Sequence, residues 1–327
     1  MKALQLIKYG EIKDSLVFNE VKKPTIQATD LLIEIKAAAI NPIDKSIVLG
    51  NLEGMLPIPL PSTIAYDVSG IVVETGDDVS NFEIGDLVYS RVPQEQMGTI
   101  AEYVAVNSMA VSKKPGNITF EEAAGLPLAG LTALQSLKYA GIKENDKVLI
   151  HAGSGGVGSF AIQYAKAKGA YVYTTTSTNN VNWVKELGAD RVIDYKTEDY
   201  KAIVKDADIV FDTLGKNYTL EAFEVVKQGG KVVSVVGPLD EASATSFGIP
   251  DYKLPEELAK LSSDKNADYK FIFMHPNGVH LSEIKSLIED EKIKPIIDKV
   301  YPFSESIEAF THLASGRAKG KIVIKIS

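Results

Sequence analysis

The sequence predicts an α/β protein: a doubly wound parallel sheet covered by helices, joined to a second, β-rich domain. Three observations carry this reading. From about residue 125 onward, short apolar runs alternate with amphipathic helical stretches. A glycine-rich loop, Gly153-Ser154-Gly155-Gly156-Val157-Gly158, sits between one such run and the helix that follows it. Residues 1 to about 125 instead carry short strand-like runs, broken at close intervals by glycine and proline as in a sandwich or partly open barrel. A length of 327 residues suits two domains.

In the first part, Leu31–Ile35 reads as a strand and Val68–Glu74 as another, ended by Gly76-Asp77-Asp78. Asp86–Tyr89 follows the Gly85 turn, and Ala101–Val106 is a further short strand. Phe120–Ala140, rich in alanine and leucine, reads as helices broken around Gly125–Pro127 and again near Gly130. The alternating part follows: strand Lys147–His151, helix Val157–Lys168, strand Ala170–Thr176, helix Val181–Leu187, strand Arg191–Tyr195, strand Asp208–Asp212, helix Leu220–Lys227, strand Lys231–Val236 and strand Tyr269–Met274. Pro238–Asp268 has few apolar runs and two prolines. It reads as an irregular excursion with one short helix. At the C-terminus, Ile293–Phe303 is extended, Ser306–Ala314 helical and Lys321–Ile326 a strand, a tail expected to return to the N-terminal domain.

Composition narrows the chemistry. Lys+Arg 35 against Asp+Glu 43 gives a net charge of −8, which argues against a broad nucleic-acid-binding face. No run approaches the ~20 apolar residues of a membrane span, and Met1–Lys8 lacks a secretory apolar core. The expectation is a cytoplasmic protein with no membrane partner. Cys 0 excludes a disulfide, a thiolate nucleophile, an iron–sulfur cluster and a Cys-bound zinc. The four histidines, His151, His275, His280 and His312, form no i, i+4 pair of the kind a zinc hydrolase uses.

The loop Gly153–Gly158 satisfies G-x-G-x-x-G in the required strand–loop–helix context, since Phe160, Ala161, Tyr164 and Ala165 recur at helical spacing. Gly153 permits the tight turn, Gly155 the approach of a pyrophosphate and Gly158 close packing of helix on strand. The helix N-terminus supplies unpaired N–H groups for phosphate. A Rossmann domain binding NAD usually ends its second strand with an acid. Tyr171–Val181 contains none, and Thr176, Ser177, Thr178 and Asn180 are neutral donors, so NADPH is the expected cofactor. Ser177 and Asn179 also read as caps of the next helix.

The chain resembles the zinc-independent branch of the medium-chain dehydrogenase/reductase superfamily. Within it, the chain is similar to the quinone oxidoreductases and NADPH-dependent enone (alkenal) reductases. The resemblance spans essentially the whole chain. It rests on Ala39-Ile40-Asn41-Pro42-Ile43-Asp44, Leu126-Pro127-Leu128-Ala129-Gly130-Leu131-Thr132-Ala133, the His151–Gly158 loop, Gly188-Ala189-Asp190 with Ile193-Asp194-Tyr195, and Gly320-Lys321-Ile322-Val323-Ile324. It implies a GroES-like catalytic domain at 1–124 and 293–327, a Rossmann domain at 125–292, an active site between them, a homodimer and no metal. Zinc relatives carry Gly-His-Glu and catalytic cysteines, where this chain has Ala65-Tyr66-Asp67-Val68-Ser69-Gly70.

Residue by residue, the resemblance places Asn41 beside the nicotinamide ribose and the reacting carbonyl, with an Asn-Pro turn as the structural alternative. Thr132 would approach the nicotinamide at a helix break, or cap that helix. Ser177 and Tyr195 would flank the 2′-phosphate and adenosine, Gly237 would meet the carboxamide, and Arg317 on the C-terminal helix would reach the phosphates. Relatives often carry lysine where this chain has Asn180, a departure that bears on selectivity for NADPH. Tyr66 is the first candidate to donate to a developing enolate oxygen, against a tyrosine buried in the barrel wall. Asp44 and Lys45 read as surface charges and Trp183 as packing. The implied substrate is a conjugated carbonyl compound or a quinone. An NAD-linked alcohol dehydrogenase and a non-catalytic NADPH-binding protein stay open as alternatives.

Overall fold

The chain opens with eight strands: β1 (Lys2–Leu6), β2 (Leu16–Glu20), β3 (Asp30–Ile40), β4 (Ser62–Thr63), β5 (Asp67–Thr75), β6 (Leu87–Arg91), β7 (Tyr103–Asn107) and β8 (Val111–Lys113). Six more alternate with helices: β9 (Lys147–Ile150), β10 (Tyr171–Thr176), β11 (Arg191–Asp194), β12 (Ala207–Asp212), β13 (Val226–Ser234) and β14 (Asp268–Phe271). Two close the chain, β15 (Ile297–Pro302) and β16 (Lys321–Lys325). The computed structural model describes residues 1–327. They divide into one unit of Met1–Leu131, His275–Glu291 and Pro295–Ser327, and another of Thr132–Met274 with Lys292–Lys294.

The first unit is organised by β3, whose 11 residues carry the strand five past the predicted Ile35 and deliver Asn41 at its end. It pairs antiparallel with β5, β7 and β16 in a sheet of order β15-β16-β3-β5-β6-β8. The last strand of the chain thus completes a sheet begun near its start. Ile322, Val323 and Ile324 of β16 are fully buried, each contributing about 1.5–3 kcal/mol by leaving water. A small sheet of β2, β1 and β4, absent from the sequence reading, packs Leu4, Leu6 and Leu16 into the same core.

The second unit is a six-stranded, wholly parallel sheet in the order β11-β10-β9-β12-β13-β14. Its first strand in the chain, β9, lies in the middle. Winding reverses between β9 and β12, which leaves a crevice at the carboxyl ends of those strands.

Three expectations need correction. The helix Pro127–Tyr139 runs unbroken through Gly130, whose N–H donates to Leu126 O at 2.7 Å. Glycine weakens a helix interior by about 1 kcal/mol but keeps the hydrogen bond. The stretch 238–268 holds two helices, Glu241–Ser246 and Glu256–Asp264. Asp240 caps the first, and Leu254, Leu258 and Leu261 anchor the second in the core. The helix Gly278–Glu289 groups with the first unit instead of the Rossmann domain. Its Leu281 carbonyl accepts the buried Tyr89 hydroxyl at 2.6 Å, and a Cβ at Gly278 would stand 2.3 Å from Val111 O.

Candidate functional site

Register brings four distant residues, Asn41, Asp67, Arg91 and Lys321, together at the first unit's sheet. Ala39 of β3 faces Asp67 of β5, Asp67 faces Arg91 of β6, and Lys321 of β16 lies one step beyond the Ile322–Ile40 pair, beside Asn41. All four are buried. The Lys321 ammonium donates to Asn41 Oδ1, and at 3.2 Å to both Asp67 Oδ2 and Ile40 O. Asn41 Nδ2 donates to Asp67 Oδ2 at 2.9 Å, and Leu128 N to Asp67 Oδ1 at 2.8 Å. An ammonium only donates and a carboxylate only accepts, so the orientation of the Asn41 amide is fixed. One Nδ2 hydrogen is left over. Pro42, at the start of the helix Pro42–Val48, brings Asp44 back so that Asn41 N donates to Asp44 Oδ2 at 2.7 Å.

Burial dominates the electrostatics. It pushes the Asp44 carboxyl up to about 7 against the opposing Asn41 N–H bond, with the Asp67 charge adding to the rise. It raises Asp67 against the pull of Lys321, and lowers Arg91. Asp44 is therefore part of a buried charge cluster, not a surface residue. Tyr66 is 0% exposed, its ring lies under the Arg91 guanidinium at 4.3 Å, and its hydroxyl has no partner. Burial, reinforced by the Asp44 charge, pushes that hydroxyl up to about 12. The barrel-wall alternative describes Tyr66 better than a donor facing substrate. Asp67, Arg91 and Lys321 were missed as site residues, although an aspartate and a lysine inside apolar strands are rarely buried unless paired.

In the second unit, the glycines of the loop have different reasons to be glycine. A Cβ at Gly153 would lie 2.3 Å from Thr174 Oγ1, and one at Gly158 2.3 Å from Ala152 O. At Gly155 a Cβ would meet only Ala152 O, at 3.4 Å. The fold thus requires Gly153 and Gly158, while Gly155 keeps an outer surface clear. Ser154, Gly155, Gly156 and Val157 are half-buried at the start of the helix Gly156–Ala167, where unpaired N–H groups face outward. This cradle fits a dinucleotide pyrophosphate. Beneath it, His151 is buried between Tyr200 and Tyr218, and burial pushes it down to about 4, so it is neutral.

The other candidates fall as follows. Ser177 precedes a turn in which Asn180 Nδ2 donates to Ser177 Oγ at 3.2 Å, and Trp183 Nε1 donates to Asn180 Oδ1 at 3.0 Å. Trp183 is thus more than packing. Thr178 bonds to Asp194 on the neighbouring strand, which with the Lys196 N–H holds that carboxyl below its usual range. Tyr195 is 53% exposed and borders a hollow of about 490 Å³ with Lys196, Lys201, Asn217, Tyr218 and Glu221. Gly237 lies three residues past β13, its N–H donating to Ser234 Oγ at 2.8 Å. Ser234 and Thr219 donate to the buried Asp212, which also accepts from Leu214 N and Gly215 N. Thr132 lies buried inside an unbroken helix, neither at a break nor at a cap. Arg317 is exposed and beyond the helix Ser306–Ala314, not on it. No group of three or more His, Asp or Glu side chains is placed to hold a metal ion.

Residues 27–116 match the alcohol dehydrogenase GroES-like domain, and residues 187–324 match the zinc-binding dehydrogenase family. The chain is 36% identical over 334 residues to the 2-methylene-furan-3-one reductase of Solanum lycopersicum, covering 99% of this chain and 79% of that protein. It is 35% identical, with the same coverage, to the chloroplastic NADPH-dependent alkenal/one oxidoreductase of Arabidopsis thaliana. The solved quinone oxidoreductase of Coxiella burnetii superposes with a TM-score of 0.87 at 33% identity, over 100% of this chain and 99% of that one.

Two outcomes follow from this geometry. Gly155→Val is expected to leave a folded protein with at least tenfold weaker binding of NADPH, read by nucleotide fluorescence, whereas Gly158→Val lowers the yield of folded protein. Equal binding by Gly155→Val and wild type overturns the assignment of the cradle. For Asp44, the folded chain holds the proton to about pH 7, while the ordinary value is 3.8. Its contribution to stability is therefore full below about pH 4 and is lost as pH rises through about 7. Asp44→Asn keeps an acceptor for Asn41 N and does not ionise. Urea titrations are expected to show wild-type stability falling relative to the variant by on the order of 3 kcal/mol between about pH 4 and 8. A difference that does not change with pH rejects the assignment.

Proposed function

The chain belongs to the zinc-independent medium-chain dehydrogenase/reductases, among the quinone oxidoreductases and alkenal/one reductases. From that premise we propose that it is an NADPH-dependent reductase of conjugated carbonyl compounds, acting on the C=C bond of an α,β-unsaturated ketone or aldehyde, or on a quinone. The observation that carries the reading is the pairing of a bare Gly155 cradle with a second strand that ends at Thr176, followed by Ser177 and no acid. Bound there, the nucleotide supplies hydride from its nicotinamide.

The chain's own task is to hold the acceptor carbon about 3–3.5 Å from that donor and to stabilise charge on the carbonyl oxygen. We assign the second task to the unspent Nδ2 hydrogen of Asn41, which the Lys321–Asp67 pair holds in one orientation. A cysteine-free chain with Tyr66 and Asp67 in β5's entry has no donor set for a zinc that would polarise an alcohol oxygen. A conjugated acceptor spreads the developing charge through its π system and needs less help. With Tyr66 sealed in the core, solvent is the assigned source of the proton for the α-carbon. Thr132, Gly153–Gly158, Ser177, Tyr195 and Gly237 belong to the proposed nucleotide site. Asn180 belongs to it at one remove, and the exposed Arg317 is its weakest member.

We extend the reading to a cytoplasmic homodimer. Supporting the dimer, β14 is an edge strand with exposed Phe273, Ile249 and Val236 nearby. For the compartment the support is compositional, a cysteine-free chain being indifferent to a reducing environment. No helix is long and apolar enough to cross a membrane. Light scattering and cell fractionation test these two extensions.

With NADPH deuterated at nicotinamide C4 and 3-buten-2-one as acceptor, deuterium is expected on the β-carbon, and the α-hydrogen is expected from solvent when the reaction runs in D2O. Deuterium on the carbonyl carbon would show alcohol dehydrogenase chemistry, and no turnover with either this enone or 1,4-benzoquinone would favour a non-catalytic binding protein. In the same assay Asn41→Ala is expected to lower turnover on the order of a hundredfold while changing the NADPH constant far less. Unaltered turnover removes Asn41 from the mechanism.

A further inference from the structure

Trp183 is the chain's single tryptophan, and its indole N–H is not idle. An indole nitrogen donates and never accepts, so the Asn180 atom facing it at 3.0 Å is the amide oxygen. The NH2 end of the same amide must then face Ser177, to whose Oγ it donates at 3.2 Å. Ser177 Oγ accepts that bond, and its own hydrogen has no protein acceptor. The polarity of the chain therefore runs one way, from indole through amide to hydroxyl, and it ends on a half-buried O–H that is free to donate.

We propose that Trp183 and Asn180 are positioning residues that hold Ser177 as a fixed donor toward the 2′-phosphate of NADPH, so that this relay replaces a charged side chain as the source of selectivity over NADH. The inference rests on the NADPH reading above. A phosphate is an acceptor only, and a hydrogen bond to a charged acceptor is stronger than one between neutral partners. The 2′-hydroxyl of NADH either donates or accepts, so a directed donor favours it little. Asp194, the acid that ends the neighbouring strand, has its carboxylate turned to the Thr178 hydroxyl and the Lys196 N–H. The arrangement explains how Asn180 serves the site without reaching the phosphate: both ends of its amide are engaged inside the turn.

The test uses the two halves of the distinction as probes, 2′,5′-ADP and 5′-AMP, with dissociation constants from calorimetry on the full-length protein. Ser177→Ala is expected to weaken 2′,5′-ADP about tenfold and 5′-AMP by less than about twofold. Trp183→Phe keeps the aromatic bulk and loses only the donor. It is expected to weaken 2′,5′-ADP about three- to fivefold, with 5′-AMP again little changed. The double variant is expected to bind 2′,5′-ADP no more weakly than Ser177→Ala alone, because the indole acts only through that hydroxyl. Losses that multiply in the double variant, or a Trp183→Phe chain that binds like wild type, overturn the relay and leave the NADPH reading standing. A wild-type chain that binds both probes equally overturns both. If Trp183→Phe does not fold, Asn180→Leu interrupts the relay at its middle and carries the same expectations.

Discussion

Four ionisable side chains buried together constrain the first unit more than any other feature. Asp44, Asp67, Arg91 and Lys321 are removed from water, and each alone would cost several kcal/mol. They are tolerable because Asp44, Asp67 and Lys321 are joined through Asn41 as a hydrogen-bonded bridge, while the Arg91 guanidinium lies over the Tyr66 ring and donates to Val92 O. The arrangement exists only if β16, β3, β5 and β6 all adopt one register. A slip of a single residue would turn Asp67, Arg91 or Lys321 to the opposite face of the sheet. Removing one member leaves its partner charged and unpaired, at about 3–5 kcal/mol. The cluster thus ties the last strand of the chain to residues near its beginning.

The second unit solves its polar problem by other means. Asp212 is buried, but its two oxygens accept from Thr219, Ser234, Leu214 N and Gly215 N, with no cation involved. That set of neutral donors fixes the turn after β12 and, through Ser234, the backbone at Gly237. The glycine loop likewise offers backbone N–H groups instead of charged side chains.

Features written in local pattern were legible in the sequence. The alternation of apolar runs and helices located all six strands of the parallel sheet, although β13 begins at Val226, five residues before the expected Lys231 and within the expected helix. The glycine spacing located a loop whose three glycines the structure separates by cause. What depends on distant pairing was not legible. Nothing near Asp67 announces that Lys321 completes it, and nothing near Tyr66 announces Arg91 over its ring. The helix Gly278–Glu289 was not read from the sequence, which placed its residues in the Rossmann domain. Only the Tyr89 hydroxyl and the close approach at Gly278 reveal where it packs. The helix Glu256–Asp264 had local signals, Pro255 at its start with Glu256 and Glu257 in the first turn, which the low apolar content around it obscured.

The solitary indole has one more consequence. Every photon that this chain emits from tryptophan leaves from the helix that follows the Ser177 turn, since no second tryptophan blurs the signal. Fourteen tyrosines are available to feed it by energy transfer. A reduced nicotinamide absorbs where indoles emit, so the unmodified molecule carries its own optical gauge of occupancy. Its colour and lifetime register the hydrogen-bonded state of one N–H group, and they do so without a label or a mutation.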